Sequence, residues 1–117
     1  MEKETKSMTK IKVKPTIKMG CHEYRIVLSK TLKPDDGDDG FVHHGKQVIR
    51  IDYGLCSSRR MTTLFHEIDH IILKVFNLYL PEDRGAEAII AGFAEGNGIL
   101  FEQLGIELDW ADIPIED

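Results

Sequence analysis

Residues 62–73 read TTLFHEIDHIIL, with His66 and His70 four apart, Glu67 beside the first and Asp69 beside the second. On an α-helix, residues four apart share a face with Cβ atoms about 5–6 Å apart, so the two imidazoles can reach one ion. Glu67 is turned about 100° from His66 and flanks that ion without ligating it, which is the placement a general base requires. The chemistry that suits this set is metal-assisted hydrolysis. Zn2+ lowers the pKa of a bound water from about 15.7 to about 7 and polarises the carbonyl under attack, while Glu67 would pass the water's proton to the leaving amine.

Catalytic zinc takes three protein ligands and keeps one position open, so a third donor is needed. Glu87 is the first choice, near the start of a second helix and able to face the first across the NLYLPEDR connection. Glu95 is the runner-up, two helical turns later. The two cannot share an ion, because they stand ~12 Å apart along a helix axis. Asp52, Asp69 and Glu102 are candidate partners for the far imidazole nitrogens.

Other polar residues carry less. His43 and His44 in FVHHG could supply one oxyanion or substrate contact, but neighbours on a strand point to opposite faces, so a loop histidine pair is the preferred reading. No spacing supports a site of Cys21, His22 and Cys56. Tyr53 and Tyr79 read as packing residues, although either hydroxyl could stabilise an oxyanion. The plain alternative for HEIDH itself is a metal-free core helix, since five-residue patterns recur by chance. Three features weigh against that alternative: the motif lies mid-helix, a strand precedes it, and a Glu-bearing helix follows.

The elements around the motif can be read from periodicity. KIKVKPTIKM alternates through Ile11, Val13, Ile17 and Met19 as a half-buried strand, with Pro15 suggesting a sheet edge. CHEYRIVL alternates after Gly20, which predicts a hairpin or meander, and QVIRIDYGL predicts a third strand at about 47–53. KTLKPDDGDDG reads as an exposed loop; in an EF-hand register Gly37 would fall at position three and Lys46 at position twelve, so that motif is rejected. Ser57 or Ser58 can cap a helix bearing Met61, Leu64, Phe65, Ile68, Ile72, Val75 and Phe76, ended by Asn77 and Pro81. A second helix is expected from near Pro81 or Glu82 to about Leu104, before Gly105. Its glycines, 85, 92, 96 and 98, require a break or very close packing. Trp110, in the short acidic tail, should dock on the core.

With these elements in place, the chain resembles the zincin metallopeptidases, specifically the minimal, phage-associated kind related to ImmA/IrrE-type proteins. The resemblance covers roughly residues 11–104 and rests on KQVIRID, TLFHEIDHIIL and AEAIIAGFAEG. It implies that His66, His70 and Glu87 hold zinc, that Glu67 is the base, and that the strand at 47–53 is the sheet edge to which an extended peptide adds. It also implies a protein substrate, by analogy a repressor or other regulatory protein. Two features depart from the pattern: Asp69 stands where a small or apolar residue is common, and no downstream Tyr or His is identifiable as a transition-state stabiliser.

The whole chain is consistent with these expectations. Its 117 residues suffice for one domain with one core, and 42% hydrophobic with 30% charged residues is an ordinary globular composition. Residues 1–18 hold six Lys against two Glu, while the remainder holds nine basic against eighteen acidic residues. An acidic fold disfavours nucleic-acid binding, which needs a basic face. Neither a membrane span nor a secretory signal is visible, so a cytoplasmic protein is expected. Two cysteines outside any CxxC pair predict reduced, half-buried thiols. The resulting expectation is a flexible basic segment at 1–10 and a metallopeptidase-like domain at 11–117. The domain is an α+β fold, with a small, mostly antiparallel three-stranded sheet packed on two main helices, acting as a zinc-dependent peptidase. The rival expectation is a catalytically silent zinc-binding scaffold that presents a surface to a partner protein.

Overall fold

Three consecutive apolar residues, Ile26, Val27 and Leu28, mark the strand around which the molecule is built. Successive side chains on a strand point to opposite faces, so a run of this kind requires cover on both. In the computed structural model, which describes residues 8–33, 37–78 and 84–116, all three are almost fully buried. They belong to β3 (His22–Ser29), flanked by β2 (Thr16–Met19) on one side and β5 (Val48–Asp52) on the other. β4 (Gly40–His43) pairs with the far side of β5, and β7 (Ile115–Glu116) continues beside the end of β3.

The sheet is therefore five-stranded and mixed, where three mostly antiparallel strands were expected. β2–β3 and β4–β5 are antiparallel, whereas β3–β5 and β3–β7 are parallel. The reason lies in the connection after β3. It carries β4, which makes the tight hairpin with β5 through a turn in which Gln47 adopts φ 55°. β5 then inserts between β4 and β3 and must run along β3. Its own residues agree, because four of the five in VIRID are buried, as in a central strand.

The stretch 11–19 is likewise not one strand. β1 (Thr9–Lys12) pairs in parallel with β6 (Ile106–Asp109) in a separate two-stranded sheet, and the chain breaks at Val13–Pro15 before β2 begins. Pro15 lacks an N–H, and its carbonyl accepts the Ile26 N–H. β2 is an outer edge, as Pro15 predicts. Thr9 and Lys10, within the segment expected to be flexible, belong to β1.

α1 (Ser57–Val75) lies across this sheet with Met61, Leu64 and Ile71 buried. Cys56 rather than a serine occupies its N-cap, and no side chain caps it. Its C-terminus is firmly closed. Asn77 takes φ 55°, the Asn77 N–H donates to the Lys74 carbonyl and the Leu78 N–H to that of Leu73, a Schellman arrangement. α2 (Arg84–Gln103) runs unbroken to Gly105, whose φ of 77° ends it; the expected start at Pro81 or Glu82 lies outside the described residues. Of its glycines, Gly98 packs closely on α1, where a Cβ would meet Thr62 Oγ1 at 2.6 Å. Trp110 docks on the core beside Ile113. No described helix is long and apolar enough to cross a membrane.

Candidate metal centre

His66 and His70 project from the middle of α1 with ring centroids 5.1 Å apart. Both turn toward α2, and Glu87 meets them there: Oε2 lies 2.6 Å from His66 Nε2 and Oε1 lies 3.4 Å from His70 Nε2. One ligand atom from each residue lies within 4.8 Å of the others. Two ligand atoms each about 2.1 Å from an ion at the tetrahedral angle are ~3.4 Å apart, which the His70–Glu87 pair matches and the His66–Glu87 pair reaches on opening by several tenths of an ångström, so the group could hold a zinc-sized cation. Among the described residues no other three His, Cys, Asp or Glu side chains gather this closely. As plain ion pairs these contacts would stabilise little, because the Glu87 side chain is 59% exposed and such surface pairs contribute ~0–1 kcal/mol.

Glu67 sits differently. It turns beneath β4 and is only 7% exposed. Burial pushes its carboxyl up from 4.5 to about 7, against the opposing pull of His66, with Glu87 and Asp38 adding to the rise. The close approach of β4 depends on Gly40. A Cβ there would lie 2.5 Å from Thr63 Cγ2 and 3.1 Å from Glu67 Oε2. Two cavities open beside this point, and both are lined by Gly40, His66 and Glu67. One, of about 310 Å3, extends toward Arg59, Thr62 and Ala94; the other, of about 450 Å3, extends toward Val42, His44, His70 and Glu87.

The remaining candidates separate cleanly. Glu95 lines the smaller cavity with His66 and Glu67 but is outside the close group of His66, His70 and Glu87, and pairs with Arg59 at 3.5 Å. Asp52 accepts the backbone N–H groups of Lys33 and Gly54, so its carboxylate organises a loop. Burial raises the Asp69 carboxyl's proton affinity, and its buried Oδ2 has no hydrogen-bond partner among the described residues. Glu102 lies at the other end of α2. None of these three hydrogen-bonds to His66 or His70 among the described residues. Cys21 and Cys56 are free and exposed rather than half-buried, and His22 contacts Gln47. Tyr53 is 41% exposed, with Lys30 and Arg60 over its ring, and Tyr79 lies outside the described residues.

The histidine pair in the β4–β5 turn behaves asymmetrically. His43 is exposed, and its Nδ1 accepts the Lys46 N–H. His44 instead lines the larger cavity, and the hydroxyl of the buried Tyr24 lies 3.3 Å from its Nδ1. Alternation along a strand marks one of the pair as inward but cannot say which, because the turn sets the register. Burial, with Lys74, His70 and His43 nearby, lowers the proton affinity of His44 and favours the neutral ring.

Among the described residues the free edge next to this centre is β4, since β5 is enclosed between β3 and β4. An extended peptide therefore cannot add to the strand at 47–53, and the sequence-based expectation is corrected on that point. Comparison of the chain with protein-family models, with curated proteins and with solved structures found no match.

Proposed function

We propose that the chain is a zinc-dependent peptidase in which His66, His70 and Glu87 hold the ion and Glu67 is the general base. One observation carries the reading: two imidazole nitrogens and the Glu87 carboxylate converge beside a second, buried carboxyl, that of Glu67, whose burial raises its proton affinity. When bound, zinc polarises the scissile carbonyl and lowers the pKa of a coordinated water to about 7. The Glu67 carboxylate takes a proton from the attacking water and delivers it to the amine of the departing peptide as the carbon–nitrogen bond breaks. A base that titrates near the working pH is ionised often enough to accept that proton and still acidic enough to release it. The cation itself would draw this affinity down.

The substrate is an extended peptide segment laid along β4, whose free backbone groups supply the pairing. In this reading the Tyr24 hydroxyl donates to His44 Nδ1, which leaves Nε2 as the N–H donor available to a substrate carbonyl. The resemblance of TLFHEIDHIIL to the minimal phage-associated zincins supports a cytoplasmic setting and a regulatory protein as target. It also favours peptide-bond hydrolysis over another metal-assisted reaction.

The test incubates zinc-loaded wild type and Glu67→Gln with a proteome-derived peptide library and maps cleavage by mass spectrometry. The variant should bind as much zinc as wild type and cut at least about a hundredfold more slowly. Equal cleavage by the two would remove Glu67 from the role of base. Zinc binding with no cleavage by wild type would replace the enzyme by the zinc-binding scaffold.

A further inference from the structure

α2 packs on α1 along one side, where the Phe101 and Phe65 rings meet with centroids 5.0 Å apart and Glu95 pairs with Arg59. Ile90, Ala94 and Gly98, spaced four apart, face α1. The opposite side is not polar, as it is on an ordinary surface helix. Ile89, Phe93, Ile99, Leu100 and Leu104 are 43%, 65%, 52%, 49% and 62% exposed. At about 100° per residue, Ile89, Phe93, Leu100 and Leu104 fall within an arc of roughly 60°. Gly92, Gly96 and Ile99 continue that arc on one side, so the whole band covers about 140° of the helix. Among the described residues nothing stands within 4 Å of a Cβ built at Gly92 or Gly96. The band thus consists of large apolar side chains beside a bare stretch of helix backbone.

We propose that this face is a homodimer interface, formed by α2 packing on α2 of a second copy. Two arguments favour a second copy. The five side chains expose on the order of 500 Å2 of apolar surface, below the ~800 Å2 each partner contributes to a stable interface and within the range of a weak, concentration-dependent one. The band is also self-complementary, because Phe93 is its tallest projection and Gly92 and Gly96 are its floor. Under a two-fold axis a contact of residue i with residue j is repeated as j with i. Phe93 of each copy then seats on the other's glycines, and the helices approach closely. The inference is independent of the metal reading, because no ligand or base lies on this band.

Charge sharpens the test. No charged residue lies within the band, while Glu95 and Glu102, seven apart, stand along one flank of it. Each copy also carries a net charge of −5, so two copies repel each other as they approach. Added salt screens that repulsion and strengthens apolar burial, so the dimer tightens with salt, whereas a complex with a basic partner would loosen.

The experiment is sedimentation velocity on the full chain over a wide concentration range, at low and high salt. Wild type should move from the 13.3 kDa monomer toward twice that mass with rising concentration, more readily in high salt. Phe93→Glu should associate at least about tenfold more weakly. Gly96→Lys places its side chain in open space and favours helix over glycine, so it should leave the monomer's circular dichroism intact while blocking the dimer. A wild type that stays monomeric throughout, or any assembly that survives both substitutions, would overturn the proposal.

Discussion

Glu67 and Glu87 have the same side chain, and their surroundings give them different chemistry. Glu87 is exposed and lies against His66 and His70, whereas Glu67 lies under β4, where ionisation has little solvent to support it. The folded-state value of about 7 lies above the ordinary 4.5, so the folded protein binds this proton more tightly than the unfolded chain. The resulting stability is fully present below about 4.5 and is lost as pH rises through about 7. In the metal-free protein the loss is at most about 3 kcal/mol between about pH 5 and about pH 8. Glu67→Gln cannot ionise, so urea unfolding should show the variant gaining on wild type as pH rises across this range. If the two stabilities run parallel with pH, Glu67 does not hold a proton in the fold. At this scale much of the candidate centre was legible. His66, His70 and Glu67 needed only the geometry of one helix, and Glu87 needed the further assumption that the second helix folds back. What spacing could not show is that Arg59 occupies Glu95, that Asp52 belongs to a loop, or that His44 rather than His43 turns inward.

Among the elements, β4 was the strand the sequence reading missed and the one on which the centre depends. GFVH is only four residues long and follows an acidic, glycine-containing loop, so no alternation had room to develop. Its omission also inverted the sheet: without β4, the strand at 47–53 takes the edge and the antiparallel neighbour of β3. α1, by contrast, was legible from its apolar recurrence, although its N-cap was not, since Cys56 fills that place without a side-chain bond. The contact between β4 and α1 is tight at Gly40, where an added methyl would meet Thr63, Glu67 Oε2 and, at 3.4 Å, the Arg50 carbonyl. Thr63 is 5% exposed and has little room to yield. Gly40→Ala should therefore destabilise the fold by about 1–3 kcal/mol, as overpacking does, and lift β4 from the base. Thermal unfolding checks the first effect. An alanine variant as stable as wild type would mean that β4 does not rest on α1 here.

For the whole molecule, the candidate ligands matter because they span the two helices. α2 is held by Ile90, Ala94 and Gly98, by Phe101 on Phe65 and by the Arg59–Glu95 pair, and Glu87 in its first turn reaches back to His66 and His70. The outward apolar band of α2 was hidden in the sequence, because apolar residues on both sides of a glycine-rich helix read as burial rather than as two separate surfaces. The acidic balance of the chain, −5 overall, was legible from composition and suits a site that concentrates a cation. Metal content tests the central claim most directly. Wild-type protein and its His66→Ala, Glu87→Ala and Glu95→Ala variants, equilibrated with zinc and desalted, are assayed by inductively coupled plasma mass spectrometry. The account predicts one zinc per chain in wild type and Glu95→Ala, and marked loss in His66→Ala and Glu87→Ala. Zinc well below one per chain in wild type, or retention that neither His66→Ala nor Glu87→Ala reduces, would contradict it.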